Sequence, residues 1–260
     1  MGRTNVIARI TNRLAAKLSV LVAGASIVGC AALDPELATP IAPGQTIVLA
    51  DVEPRDSDLA ATDGSGWRGL PEYRIELIPA PPVHSSITLR QTERGDQVGQ
   101  GLHFQATRSN GRVWFRLRWH DASEDRDGTL GHFPDAIALQ FALQDSSRTS
   151  YLMGTPDAPV NIWHWKGSTD RAENLAAGGF GSLTRVTEQG VEAASAYRAG
   201  RGGEWIVVFS RAIESEGEFE ASFANSVPVA FAVWQGSIGQ RDGDKLVSPG
   251  WVELRIQGES

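Results

Sequence analysis

The sequence contains very little cysteine: Cys30 is the only one among 260 residues. No disulfide can form within the chain, and no Cys-x-x-Cys-His segment is present for covalent attachment of a haem. Zinc sites and iron–sulfur clusters that depend on several cysteine ligands are excluded for the same reason.

Catalytic motifs are also missing. The five histidines show no His-x-x-x-His or similar metal-binding spacing. There is no Gly-x-Ser-x-Gly segment and no phosphate-binding loop of the Gly-x-x-x-x-Gly-Lys type. The acidic residues Glu124, Asp125 and Asp127 fall in a polar segment, where we expect a solvated surface. The sequence thus indicates a non-catalytic protein, although a β-sandwich glycosidase needs no local motif.

The start of the chain has the pattern of an export signal. It carries four basic residues and no acidic one up to residue 29, and the apolar run over residues 18–29 is too short to span a bilayer. Ile27-Val28-Gly29 before Cys30 predicts a lipoprotein signal peptide over residues 1–29, with acylation of Cys30; the alternative is an ordinary secretory signal cut nearby. Residues 30–45, rich in Ala and Pro, are then a lipid-anchored tether to a domain over residues 46–260.

This interpretation places the protein in the periplasm, tethered to a membrane by its acyl chains. Ala31 directly after the cysteine favours the outer membrane. Removal of four basic residues with the signal peptide shifts the formal charge from −7 to −11. Such an acidic chain offers no electrostatic surface for nucleic acid.

Period-two alternation of apolar residues dominates the rest of the chain. Val113, Phe115, Leu117 and Trp119 alternate with more polar neighbours, and the turn 109–111 joins this strand to a strand over Leu102–Thr107. Further strands are predicted over 137–143, 205–209 and 229–233, with shorter candidates at Ile47–Val52, Ile87–Gln91 and Val252–Ile256; Arg171–Ala177 is the candidate helix. We therefore predict an all-β, single-domain antiparallel β-sandwich with little helix and with long loops at Arg55–Pro71 and Asp121–Pro134.

Two segments have an unusual composition. Residues 151–166 are dense in Trp, Pro and Gly and contain Met153, the only methionine besides Met1. Residues 234–248 contain Lys245, one of two lysines after the signal peptide, against 18 arginines. A lysine can act as a neutral nitrogen donor whereas an arginine cannot, yet composition alone still favours an ordinary solvated charge.

Together with Leu77–Arg94 and Phe133–Phe141, these segments resemble the haem b-binding gamma subunit of the type II dimethyl sulfoxide reductase family of molybdoenzymes. That family includes ethylbenzene and dimethyl sulfide dehydrogenases and selenate and chlorate reductases. The resemblance covers roughly residues 46–257 and implies a β-sandwich whose haem iron is held axially by Met153 and Lys245. It also implies a molybdopterin catalytic subunit and an iron–sulfur subunit as partners, with a soluble cytochrome or similar external redox partner.

The resemblance also implies surroundings for the haem. We expect four aromatic residues either to line the porphyrin or to belong to the sandwich core: Trp163, Trp165, Trp234 and Phe141. We expect His164 and Lys166 either to contact the haem propionates or to lie at the protein surface. Two neutral axial ligands leave no coordination position open, which is the arrangement of an electron carrier. His164 or Lys166 in place of Lys245 remains an alternative second ligand. The lipid anchor departs from the family, whose members are usually soluble.

A different class of function stays open. The same architecture hosts carbohydrate-binding and other small-ligand-binding domains, and the aromatic-rich loops are suited to stacking on sugars. The competing hypothesis is therefore a carbohydrate- or small-ligand-binding β-sandwich lipoprotein without haem.

Overall fold

The computed structural model describes residues 38–53, 56–95, 99–215 and 217–256. Cys30, the predicted signal peptide 1–29 and residues 31–37 of the predicted tether lie outside these ranges. Over the residues described, no helix is long and apolar enough to cross a membrane.

Strands account for most of the regular structure in the described ranges. In chain order they are β1 (Thr39–Pro40), β2 (Thr46–Leu49), β3 (Tyr73–Pro79), β4 (Gln100–Ser109), β5 (Arg112–His120), β6 (Ala136–Ala142), β7 (Val160–Lys166), β8 (Arg171–Ala177), β9 (Thr184–Arg185), β10 (Glu192–Arg198), β11 (Glu204–Ala212), β12 (Val227–Trp234), β13 (Leu246–Val247) and β14 (Val252–Ile256). The two α-helices are α1 (Asp56–Ala60) and α2 (Ser85–Arg94).

The strands form one curled, largely antiparallel sheet with two facing halves. The first half has the strand order β10-β11-β5-β4-β3, and the second has the order β13-β12-β6-β7-β8-β9. Aromatic rings from the two halves meet in the core: Phe104 lies 4.7 Å from Phe231 and Trp119 lies 6.4 Å from Trp165, measured between ring centroids. The predicted all-β sandwich is confirmed.

The predicted hairpin is confirmed as β4 and β5, which pair from Leu102–Trp119 to Ser109–Arg112. Its turn residues Asn110 and Gly111 have φ values of 50° and 72°, which is the conformation that an Asn-Gly turn adopts readily.

Two element assignments from the sequence are wrong. Arg171–Ala177 is strand β8 and not a helix, because its whole length pairs with β7. Ile87–Gln91 lies inside helix α2 and not in a strand. That helix begins where the His84 side chain accepts a hydrogen bond from the Ser86 N–H, and it ends at Gly95, whose φ is 76°.

The fold also begins earlier than residue 46. Strand β1 pairs in parallel with β3, and Ala38 beside it is buried. The Gly44 N–H donates to the Trp251 carbonyl at 2.8 Å. Residues 38–45 of the predicted tether are therefore packed onto the sandwich.

Candidate ligand-binding site

A cavity of about 640 Å³ lies over the outer face of the second half-sheet. Alternate residues of a strand point to opposite faces, and the outward residues of β6, β7 and β12 form the floor of the cavity. Small and apolar side chains make up part of this floor: Ala136, Ala138, Ile162, Ala230 and Ala232. The volume is within the range of pockets that bind cofactor-sized molecules.

Loops supply the walls of this cavity. They are the end of the long loop before β6 (Phe133 and Pro134), the segment Tyr151–Met153, the segment Phe180–Leu183 and the hairpin from Gln240 to Lys245. Phe180 and Leu183 remain about half exposed, so the cavity opens to the protein surface.

The Met153 segment is held rigidly at the cavity. The Met153 N–H donates to Gln140 Oε1 at 3.2 Å, while Gln140 Nε2 donates to the Tyr151 carbonyl at 2.8 Å. Met153 has a φ of 70°, which is unusual for a residue other than glycine. The next residue, Gly154, has a φ of 67°, and a Cβ there would lie 2.8 Å from the Ala158 carbonyl oxygen. The backbone thus fixes where the thioether points.

Lys245 is held from the opposite side by the turn that precedes it. Asp244 is fully buried and forms ion pairs with Arg90 and Arg94 of helix α2, the former at 3.2 Å. The Lys245 carbonyl accepts a hydrogen bond from the Ala80 N–H at 2.8 Å. Helix α2 and strand β3 therefore anchor the lysine backbone, and its side chain extends into the cavity.

The two side chains meet. Lys245 Nζ lies 3.8 Å from Met153 Sδ and 4.7 Å from the centroid of the Trp234 ring. Burial lowers the pKa of Lys245 to about 8, against a smaller opposing effect of Asp242. The amine therefore loses its proton more readily than an exposed lysine does, and it does so next to a soft sulfur atom.

The other predicted site residues divide between the cavity and the core. His164, Lys166 and Trp234 line the cavity, and the His164 ring lies 5.2 Å from the Trp234 ring. Burial, with the charges of Lys166 and Lys245, lowers the pKa of His164 to about 3, so this imidazole is neutral.

Trp163 and Trp165 lie elsewhere. Both are fully buried in the sandwich core, together with Phe141, and do not reach the cavity. Of the two expectations for these rings, the structure therefore supports the core position and not contact with a ligand. Successive side chains of β7 point to opposite faces, so His164 points to the cavity and its neighbours Trp163 and Trp165 point into the core.

Sequence reasoning missed three residues of the site. Gln140 fixes the Met153 segment, Asp244 anchors the lysine turn, and Arg241 lies 4.2 Å from the Phe133 ring at the cavity edge. A signal existed for Gln140, since it is the only polar residue of strand β6. For Asp244 there was none, because its partners lie about 150 positions earlier in the chain.

The geometry and the donor types restrict the chemistry. A thioether and an amine that readily becomes neutral converge in an apolar cavity, which suits a borderline or soft metal centre within an apolar ligand. Fold and site together define a class: a β-sandwich protein whose cavity presents a sulfur and a nitrogen donor.

Comparison with known proteins identifies the family. The family model described as ethylbenzene dehydrogenase matches residues 65–190. The chain is 47% identical over 195 residues to the dimethylsulfide dehydrogenase subunit gamma of Rhodovulum sulfidophilum, covering 73% of this chain and 72% of that protein. It is 34% identical to the chlorate reductase subunit gamma of Ideonella dechloratans, covering 76% and 80%. At the same identity it matches a putative respiratory nitrate reductase heme subunit of Haloferax mediterranei, covering 77% and 68%.

The chain therefore belongs to the gamma subunits of the type II dimethyl sulfoxide reductase family of molybdoenzymes. As a gamma subunit it is an electron-transfer component of an oxidoreductase complex and not the catalytic one. Among solved structures, a family 9 carbohydrate-binding module from Caldicellulosiruptor kristjanssonii in complex with glucose aligns with a TM-score of 0.48 at 10% identity, covering 83% of this chain and 97% of that chain. A likeness at this level assigns no ligand to this chain.

Proposed function

We propose that this gamma subunit binds one b-type haem with Met153 and Lys245 as its axial ligands. In this role it relays electrons between the iron–sulfur subunit of a molybdoenzyme and an external redox partner such as a soluble cytochrome. The molybdopterin subunit of the same complex carries out the substrate chemistry.

The observation that carries the proposal is the 3.8 Å approach of Met153 Sδ to Lys245 Nζ, two atoms whose residues are 92 positions apart in the chain. Methionine and lysine both have flexible side chains, so these two atoms would hold one haem iron between them after a movement of either side chain. Among the relatives, the nitrate reductase protein is itself named a heme subunit.

The remaining cavity residues fit the same ligand. The small side chains of the alanines on β6 and β12 leave room above an apolar surface, which a planar macrocycle would need. Arg241 and Lys166 line the cavity and place positive charge where haem carboxylates would need it. The bound haem would supply one-electron chemistry at iron, and the protein residues hold it, exclude water and keep both axial positions filled.

We further propose that the chain works in the periplasm and is tethered to a membrane, the outer membrane rather than the inner one, through an acylated Cys30. This part rests on the sequence pattern around Cys30, with Ile27-Val28-Gly29 before it and Ala31 after it. Metabolic labelling with a radioactive fatty acid tests it: wild type should carry label, and Cys30→Ser should not.

The haem proposal is tested by the absorption spectrum of the purified chain and two matched lysine variants. We expect wild type and Lys166→Ala to show a six-coordinate low-spin spectrum with sharp α and β bands on reduction. Lys245→Ala should lose that spectrum, because Lys245 Nζ lies 3.8 Å from the Met153 sulfur. If Lys166→Ala lost the low-spin spectrum and Lys245→Ala retained it, Lys166 and not Lys245 would be the second axial ligand.

Met153→Ala tests the other axial position. A thioether raises the reduction potential of haem iron relative to stronger donors. We therefore expect Met153→Ala to lose one axial bond and to lower the midpoint potential in a spectroelectrochemical titration. A colourless wild-type protein after expression with ample haem would instead favour the carbohydrate- or small-ligand-binding alternative.

A further inference from the structure

A second group of side chains lies near the cavity and has no role in the haem proposal. Asp121, Asp125 and Asp135 each offer a carboxylate oxygen, and these three oxygens lie within 4.8 Å of one another. Asp121 and Asp135 are 1% and 0% exposed. The sequence-based expectation of a solvated acidic surface therefore holds for Glu124 and Asp127, which are exposed, but not for half-buried Asp125.

The buried Asp121 carboxylate points to a missing ligand. Among the described residues, its buried Oδ2 atom has no hydrogen-bond donor, and its Oδ1 atom accepts a long hydrogen bond of 3.4 Å from the Ser123 N–H. None of the ion pairs found within the described ranges includes Asp121, Asp125 or Asp135. A buried carboxylate without a partner is costly unless a cation or a proton compensates it.

Asp135, in contrast, is held in a fixed orientation by three donors. The Asp125 N–H and the Trp205 indole N–H donate to its Oδ2, and the Gly236 N–H donates to its Oδ1, all at 2.8 Å. The two donors to Oδ2 occupy both of its lone pairs, whereas Oδ1 retains one lone pair for a further ligand. Asp135 thus presents a preoriented oxygen to the cluster.

We infer that Asp121, Asp125 and Asp135 bind a divalent cation of the calcium type, which fixes the loop between β5 and β6. Calcium takes carboxylate and carbonyl oxygens at 2.3–2.6 Å, so two of its ligands lie at most about 5 Å apart, which matches the cluster. Acidic or hydroxyl side chains at alternate positions of a loop, as in Asp121, Ser123 and Asp125, are a common way to build such a site.

The position of the cluster gives this cation a structural role. The loop that it would close continues through Phe133 and Pro134 into the cavity wall. Its far end at Asp135 is hydrogen-bonded to Gly236, two residues beyond the cavity residue Trp234.

Calcium titration of the full chain after treatment with EDTA tests this inference. We expect calcium in 100-fold excess over its Kd to raise Tm by roughly 5–10 °C. Terbium should show luminescence sensitised by tryptophan, since the Trp205 indole contacts Asp135, and calcium should displace it. Asp121→Asn should weaken calcium binding at least about tenfold because a ligand charge is lost.

The matched control is Asp127→Asn, an exposed carboxylate of the same loop that lies outside the cluster. It should bind calcium like wild type. Absence of calcium-dependent heat, Tm change and terbium luminescence in wild type would overturn the inference, whatever the variants do. If Asp127→Asn and Asp121→Asn weakened calcium binding equally, the inference would also be overturned, because calcium would then bind to the acidic loop in general and not to the three-residue cluster.

Discussion

The outer faces of the two half-sheets are built in opposite ways. On the first half-sheet, Arg118 is 2% exposed, donates to Glu72 through two of its nitrogens and donates to Glu204 at 2.8 Å. Nearby, Leu59 and Trp67 of the segment before β3 pack onto the same face. On β6 and β12 of the second half-sheet, most of the corresponding positions are alanines, with a cavity above them.

This difference shows where the chain leaves room. Both faces obey the same pleat alternation, so the backbone alone does not distinguish them. The size of the outward side chains distinguishes the two faces. Arginine and tryptophan side chains cover the first face, whereas the small side chains of the second leave space for a ligand. The three predictions below test this contrast.

The largest expected effect comes from filling the cavity. Ala138 is buried on its floor, so Ala138→Phe should place a ring in the space of the ligand and abolish haem binding, as measured by haem titration of the apoprotein. Because Ala138 is packed in a cluster with Val160 and Ile162, the ring should also lower the free energy of unfolding of the apoprotein by about 1–3 kcal/mol.

Its matched control is Val208→Phe on the outer face of the first half-sheet. Val208 packs against Leu59, Trp67 and Trp114, so overpacking there should cost about 1–3 kcal/mol and leave haem affinity unchanged. Unaltered haem affinity in Ala138→Phe would refute the assignment of the alanine face as the binding floor.

A smaller effect on stability alone is expected from Arg118→Ala. Removal of this buried guanidinium leaves Glu72 with His103 and Glu204 with Arg198, each at a long 4.0 Å, and should lower the free energy of unfolding by about 3 kcal/mol. Denaturant titration measures it, and the haem spectrum should stay as in wild type. A spectral change would mean that the two faces are coupled.

The smallest effect should come from Gly154→Ala. The positive φ at this position and the close contact of a Cβ with the Ala158 carbonyl should lower the free energy of unfolding by about 1–3 kcal/mol. The substitution should also displace the adjacent Met153 and so shift the haem spectrum. Gly111→Ala is the matched control: its φ of 72° is similar, but a Cβ there contacts nothing within 4 Å. It should therefore destabilise less and leave the spectrum unaltered.

Sequence reasoning predicted the fold class because alternation is local, as along β5. It failed for Arg171–Ala177, whose Ala, Leu and Glu favour a helix, because pairing with β7 overrides that preference. It also failed for Asp125, because the partners that bury this residue come from the ends of two strands.

The site shows the same division. Met153 and Lys245 were assigned by resemblance, and their proximity in space is information that spacing along the chain does not contain. The inward direction of Trp163 and Trp165, by contrast, follows from alternation once the register of β7 is known.

The most direct measurement is a crystal structure of the haem-loaded chain. The account predicts one iron bonded to Met153 Sδ on one side and Lys245 Nζ on the other, with the macrocycle over Ala138 and Ala232. An iron bonded to His164 or Lys166, or a cavity that holds a different ligand, would contradict it.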